Sequence, residues 1–244
     1  MKRTFADLHL CPETRKSEHT IRLLEKASKL GYGLVAVTFG QSVASGEIEE
    51  LRKTCKHIGV DVASRVDLKP RTADDLLRDL RKVRRKFELI GVSCESKSVS
   101  RQAAKDRRVD MLFFPSIDFR RRFFDVAEAE LASTGVASFE IDLRPLLVLN
   151  GPAKIRLLST LRKEVVVSKH FRIPIIISSG VSEELLMRRP MEMAALASLF
   201  DLEQEAAIDA VSKNPVTIIR RNREKLSPRF VAPGIRIIRK GSDC

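Results

Sequence analysis

Short apolar runs alternate with longer stretches in which apolar residues recur every three or four positions. The short runs fall at 4–10, 34–38, 60–66, 89–93, 111–115, 138–142 and 175–178, and each predicts a β-strand. Stretches at 18–30, 47–58, 72–87, 98–105, 124–132 and 154–171 carry the helical period. In the third of these, Leu76, Leu80, Val83 and Phe87 form one stripe and Arg78, Arg81 and Arg85 another. Thr72 followed by Asp75 resembles a capping box, with Asp in place of the usual Glu or Gln. Beyond 178 the period turns helical at 183–186, 191–200 and 202–211, and Asn214-Pro215 is expected to break that run.

A strand followed by a helix, repeated every 25 to 35 residues or so, implies parallel pairing through right-handed crossovers. The expected fold is α/β: a TIM-barrel-like barrel with about seven clear parallel strands, distorted from the regular eightfold form. An open doubly wound sheet is the second expectation. One domain is expected over 1–228, followed by a basic C-terminal extension over 229–244 that includes Pro233 and Gly234 and is free to move without a partner.

Composition changes the picture chiefly through charge. With 244 residues, 43% of them hydrophobic, the chain can bury one sizeable core. The net charge of +13 points to polyanionic partners, and it is concentrated. Residues 78–122 hold fourteen Lys/Arg against six Asp/Glu, and 213–240 hold nine against one, so the remainder is slightly acidic. Two basic zones on such a scaffold are an electrostatic footprint for nucleic acid, against the plainer reading of solvated charged helices. With no Trp and one Tyr, a stacking platform for single strands is disfavoured, and recognition of backbone and shape is favoured. Cys11, Cys55, Cys94 and Cys244 form no metal-type or disulfide-type spacing, so a reducing compartment is expected. No apolar run is long enough to span a membrane, and the strand-like start suggests no leader peptide.

Candidate chemistry begins at Asp7-Leu8-His9-Leu10-Cys11, the end of the first strand. Strand alternation would put Asp7, His9 and Cys11 on one face, where barrels carry their active sites. The segment is similar to the Asp/His-x-His motif of the PHP metal-dependent phosphoesterases, with Cys11 in place of the second histidine. Only three other histidines exist (His19, His57 and His170), so Asp7 and His9 are read as a degenerate remnant and no catalytic metal is expected. Asp67, Glu95, Asp118 and Asp142 also fall near strand ends.

In 93–110, Ser98 or Ser100 would cap a helix whose Arg101, Lys105 and Arg108 share a face at i, i+4 and i+7, suited to phosphate. Arg120-Arg121-Arg122 lies between Phe119 and Phe123; the phenylalanines are expected in the core and the arginines in solvent. The Ser179-Gly180 turn after the last strand is a possible phosphate turn, or an ordinary tight turn. No P-loop, GxGxxG or Ser-His-Asp set is present.

Taken together, Phe5-Ala6-Asp7-Leu8, Gly31-Tyr32-Gly33 with Val35 and Ala36, 93–110, 165–180, and 194–200 running into 206–214 resemble the archaeal ribonuclease P protein component 3 family, related to the human thirty-kilodalton subunit, over roughly 5–225. That resemblance implies a PHP-like barrel with no catalytic residue of its own, serving in removal of the 5′ leader from precursor tRNA. It implies ribonuclease P RNA, precursor tRNA, component 2 and other ribonuclease P proteins as partners, Mg2+ on the RNA, no tightly bound cofactor, no membrane and a cytoplasmic location. It places RNA contacts at Lys97, Arg101, Lys105, Arg107, Arg108, Lys169, His170 and Arg172. An independent PHP-type phosphoesterase is the alternative, and a metabolic barrel enzyme using Ser179-Gly180 ranks third.

Overall fold

A computed structural model describes residues 3–12, 17–115, 121–232 and 235–238. Seven strands form one parallel sheet in chain order: β1 (Ala6–Leu10), β2 (Leu34–Phe39), β3 (Asp61–Leu68), β4 (Leu89–Ser93), β5 (Met111–Phe113), β6 (Ser138–Asp142) and β7 (Ile175–Ser178). Sequential order excludes the doubly wound alternative, whose strand order would reverse at a switch point. The sheet curls until its edges meet. Leu10 and Val181 form a single parallel bridge, and the Gly180 N–H donates to the His9 carbonyl at 3.1 Å. The barrel is therefore nearly closed with seven strands, as the hydrophobic pattern predicts.

Helices α1 (Ser17–Leu30), α2 (Ser45–Cys55), α3 (Ala73–Val83), α4 (Lys97–Lys105), α5 (Val126–Ser133), α6 (Arg144–Val148) and α7 (Gly151–His170) cover the outside. The α3 stripe behaves as its spacing predicts: Leu76, Leu80 and Val83 are buried, and the Thr72 hydroxyl accepts from the Asp75 N–H at 3.1 Å. At α4 the cap is Ser96, which accepts from the Val99 N–H at 3.4 Å; Ser98 and Ser100 sit inside the helix. The short α6 is not foreshadowed by the apolar pattern.

Two further helices, α8 (Pro190–Leu196) and α9 (Gln204–Ala210), lead to α10 (Lys213–Leu226). The helical run does end ahead of Asn214-Pro215: α9 stops at Ala210, Ser212 is non-helical, and a new helix starts at Lys213. Pro215 sits in the first turn of α10, where no intrahelical partner for its missing N–H is needed. α10 plugs the barrel from below. Its Ile218 and Ile219 join Ala6, Leu8, Leu34, Ala36, Ala63, Leu89, Met111 and Ile176 in an interior apolar cluster. The Asn214 and Asn222 amides donate to the carbonyls of Ile175 and Glu88, at strand N-terminal ends, at 3.0 and 2.7 Å. The basic extension contains a small antiparallel pair, β8 (Phe230–Ala232) with β9 (Ile235–Arg236). Pro233, Gly234 and residues 239–244 lie outside the described residues.

Candidate functional site

Inward positions change character along the barrel axis. Near the N-terminal ends of the strands they are apolar, as in Ala63, Leu89, Met111 and Ile176. Further along the same alternation come Arg65 and Asp67 on β3, Gly91 on β4, Glu140 and Asp142 on β6 and Ser178 on β7. These residues form one ionic network at the C-terminal mouth.

Arg65 is fully buried at its centre. Its Nη1 and Nη2 donate to the two oxygens of Glu140, each at 2.6 Å, and Nε donates to Asp67 Oδ1 at 2.8 Å. Nη1 also donates to the Leu8 carbonyl at 2.8 Å, and Ser178 Oγ donates to Glu140 Oε1 at 2.6 Å. His9 bridges the remaining acids, with Nδ1 2.8 Å from Asp142 Oδ1 and Nε2 3.0 Å from Asp67 Oδ2. Burial and Arg65 disfavour the imidazolium, but Asp142 and Asp67 outweigh them and hold His9 well above its usual pKa. Burial opposes the Asp67 charge, but Arg65 and His9 hold that carboxyl well below its ordinary range.

The scaffold type raises the question of a metal here. One ligand atom each from His9, Glu140 and Asp142 falls within 4.8 Å of the others, and the same holds for His9, Cys11 and Asp67. The donors do not fit a metal as they stand. A metal-bound imidazole must be neutral and present a free nitrogen. Both His9 nitrogens face carboxylates, and Arg65 takes both oxygens of Glu140.

The expectation that Asp7, His9 and Cys11 share a face holds for His9 and Cys11, which both reach Asp67, and fails for Asp7 for a local reason. A register shift between Asp7 and Leu10 interrupts the alternation of β1. Leu8 belongs to the interior cluster, and yet the ring of the next residue, His9, also reaches the interior network. Asp7 Oδ1 instead accepts the backbone N–H groups of His9 and Ser179, at 3.2 and 3.0 Å. Among the described residues its buried Oδ2 has no hydrogen-bond partner, and burial raises its pKa. Asp7 is thus a brace between β1 and β7, apart from the donor set of the mouth.

The Ser179-Gly180 turn is likewise committed internally. The Ser179 N–H goes to Asp7, its hydroxyl to the His9 carbonyl at 3.3 Å, and the Gly180 N–H to the same carbonyl. A Cβ on Gly180 would come within 2.7 Å of the Asp142 carboxyl carbon, and its φ is +64°, so glycine is required. A phosphate turn needs free N–H groups, and these two are spent.

The opposite end of the barrel inverts the charge ratio. Asp110, 0% exposed just before β5, accepts from Arg84 Nη1 at 2.8 Å and from Arg221 Nη2 at 2.9 Å. Its Oδ2 also accepts the Ile90 N–H at 3.0 Å. Lys225 lies close enough that, after burial, the charges of Arg221, Arg84 and Arg107 push its pKa down against the pull of Asp110. Cations from both basic zones of the sequence meet here around one acid.

The predicted RNA contacts distribute unevenly. Lys97 and Arg101 are exposed on the mouth side of α4, whose nine residues extend about 13 Å. Lys105 ends the helix, and Arg107 follows it at the lower rim. Arg108 does not continue the stripe: it lies beyond the helix and is held bidentate by Asp106, at 2.9 and 2.6 Å. Lys169 and His170 end α7, and Arg172 lies in the link to β7, on the same lower side. Lys169 pairs with Glu203 at 2.6 Å, His170 packs edge-on to Phe171, and Arg172 is exposed with φ +56°.

Arg122 corrects another expectation. It is buried against Glu164, with Nη2 2.5 Å from Oε2, and also donates to the carbonyls of Phe114 and Pro115. Arg121 pairs with Glu95 at 3.4 Å; Asp118, Phe119 and Arg120 lie outside the described residues. Arg65 and Glu140 are members of the mouth network that the sequence reading misses. A signal for them exists: polar residues two apart at the ends of otherwise apolar strands, in Arg65-Val66-Asp67 and Glu140-Ile141-Asp142.

A family model described as "RNase P subunit p30" matches residues 4–227. A protein of Methanosarcina barkeri named "Ribonuclease P protein component 3" is 29% identical over 235 residues, covering 96% of this chain and 95% of its own. One of the same name from Methanosarcina acetivorans is 32% identical over 185 residues, covering 76% of each. A chain in a structure titled "cryo-EM structure of archaeal Ribonuclease P with mature tRNA" superposes with a TM-score of 0.83 at 21% identity, covering 97% of this chain and 100% of that one.

Proposed function

The chain belongs to the RNase P subunit p30 family, and from that premise we propose that it serves as an accessory protein of ribonuclease P, helping a catalytic RNA remove the 5′ leader from precursor tRNA. The observation that carries the reading is the lower rim, where Arg84, Arg107, Arg221 and Lys225 gather around Asp110. Clustered cations release counterions from phosphates and position a backbone without reading bases. The barrel mouth supports the same reading from the other side, because His9, Asp67, Glu140 and Asp142 are bonded to one another and to Arg65.

In this reading the chain touches ribonuclease P RNA, with precursor tRNA in the same particle, and works in the cytoplasm beside component 2 and other ribonuclease P proteins. Mg2+ for the chemistry sits on the RNA, and the protein lowers the Mg2+ needed to hold the RNA folded. Among the described residues no helix is long and apolar enough to cross a membrane.

The test is reconstitution. The cognate RNA is combined with component 2 and the other ribonuclease P proteins, with and without this chain, and precursor cleavage is followed at low Mg2+. Cleavage at lower Mg2+ when the chain is present is the expected result. Cleavage by the RNA-free chain at the rate of the full particle would overturn the reading.

A further inference from the structure

The mouth of the barrel has the donors of a divalent-cation site and a protein cation among them. His9, Asp67, Glu140 and Asp142 project from three different strands toward one region. Imidazole and carboxylates converging at the C-terminal ends of barrel strands are the ligand types that divalent ions take. Left without a cation, the three carboxylates would repel one another in a water-poor space.

The Arg65 guanidinium supplies that cation. It is 0% exposed and touches Glu140 and Asp67 directly, while His9 ties Asp67 to Asp142. Its position is reserved by a second residue. A Cβ at Gly91 would stand 2.9 Å from Arg65 Nη2 and 2.4 Å from Asp67 Oδ1, so any larger residue at 91 collides with the ion pair.

We propose that Arg65 is a resident counter-cation in the place of a divalent metal ion, and that His9, Asp67, Glu140 and Asp142 form a closed cation site that opens when the guanidinium is removed. A tethered cation does not dissociate. The barrel mouth therefore keeps its order whatever the free divalent-ion concentration.

The experiment compares the wild-type chain, Arg65→Met, and the double variant Arg65→Met with His9→Gln, using ZnCl2 and MnCl2 as probes. Isothermal titration gives affinity, elemental analysis gives stoichiometry, and Tm is read with and without metal. Arg65→Met is expected to bind about one equivalent at least about a hundredfold more tightly than the wild type. Its Tm should rise by roughly 5–10 °C at a hundredfold excess over Kd, with little change for the wild type. The double variant should lose most of that gain.

Wild-type binding as tight as that of Arg65→Met overturns the proposal, and so does a folded Arg65→Met that binds neither ion. If Arg65→Met does not fold in metal-free buffer, refolding with ZnCl2 or MnCl2 reads the same quantity. Recovery that depends on His9 supports the proposal; no recovery, or equal recovery in the double variant, overturns it.

Discussion

The two ends of this barrel solve opposite electrostatic problems. At the C-terminal mouth, one arginine and one histidine sit among Asp67, Glu140 and Asp142, and each of the five has an oppositely charged partner within the chain. At the N-terminal rim, Arg84, Arg107, Arg221 and Lys225 gather by Asp110, while Glu88 and Asp61 are taken up by Arg52 and Arg223, so positive charge is left over. The difference separates structure from function. Matched charge inside a barrel holds strands together, whereas surplus charge on a rim is available to something outside. In a barrel enzyme the mouth would carry the chemistry; here its charged groups are bonded to one another.

The sharpest way to break this contrast is to unbalance the mouth. Glu140→Ala leaves Arg65 buried without its bidentate partner, and breaking such a pair costs about 3–5 kcal/mol. Urea denaturation of the variant reads that loss; unchanged stability would mean that the mouth is not held by its charges.

At the rim, Asp110→Ala removes the acid that anchors Arg84, Arg221 and the Ile90 N–H. A loss of about 1–3 kcal/mol is expected from the stranded partners, again by urea denaturation. A loss equal to that of Glu140→Ala would blur the distinction between the ends.

Alkaline pH should sharpen the comparison. His9 has a raised folded pKa, so its contribution to stability is complete below about pH 6.5 and is lost as pH climbs through the folded value. Lys225 has a lowered folded pKa, so the folded state binds fewer protons and stability rises with pH between that value and the unfolded one. Tm measured from pH 6 upward should therefore fall less steeply in His9→Gln than in the wild type, and the rise at higher pH should disappear in Lys225→Met. Parallel pH profiles for wild type and His9→Gln would remove the charged-mouth account.

The smallest effect on stability is expected where the effect on binding is largest. Arg107→Ala with Lys225→Ala should change stability by no more than about 0.5 kcal/mol. In RNA titrations across salt concentrations, the same variant should lower the slope of log K against log salt by about 2, one unit for each phosphate that the protein no longer neutralises. An unchanged slope would place the RNA elsewhere on the molecule.

Much of this fold is legible along the chain. Seven apolar runs interleaved with helical periods predict seven parallel strands in order, and three of the expected strands, at 89–93, 138–142 and 175–178, match their observed bounds. Asn214-Pro215 marks a real helix boundary, since α9 ends at Ala210 and Pro215 falls in the first turn of α10, where proline is harmless. The misses share a cause. Arg108 reads as part of a stripe only if the helix continues past Lys105, where Asp106 turns the chain and captures it. Asp7 and His9 read as a pair only under strict alternation, and the register shift in β1 breaks it.

By itself the sequence determined the strand and helix alternation, the family and the surplus of positive charge, because periodicity, motifs and composition are local or additive properties. Only the tertiary structure decided where the charge counts. It joined Arg84 and Arg107 to Arg221 and Lys225 across more than a hundred residues, and it buried Arg65 between Asp67 and Glu140. Pairing depends on distances between strands and on the helix that plugs the barrel, and a linear pattern of residue types carries neither.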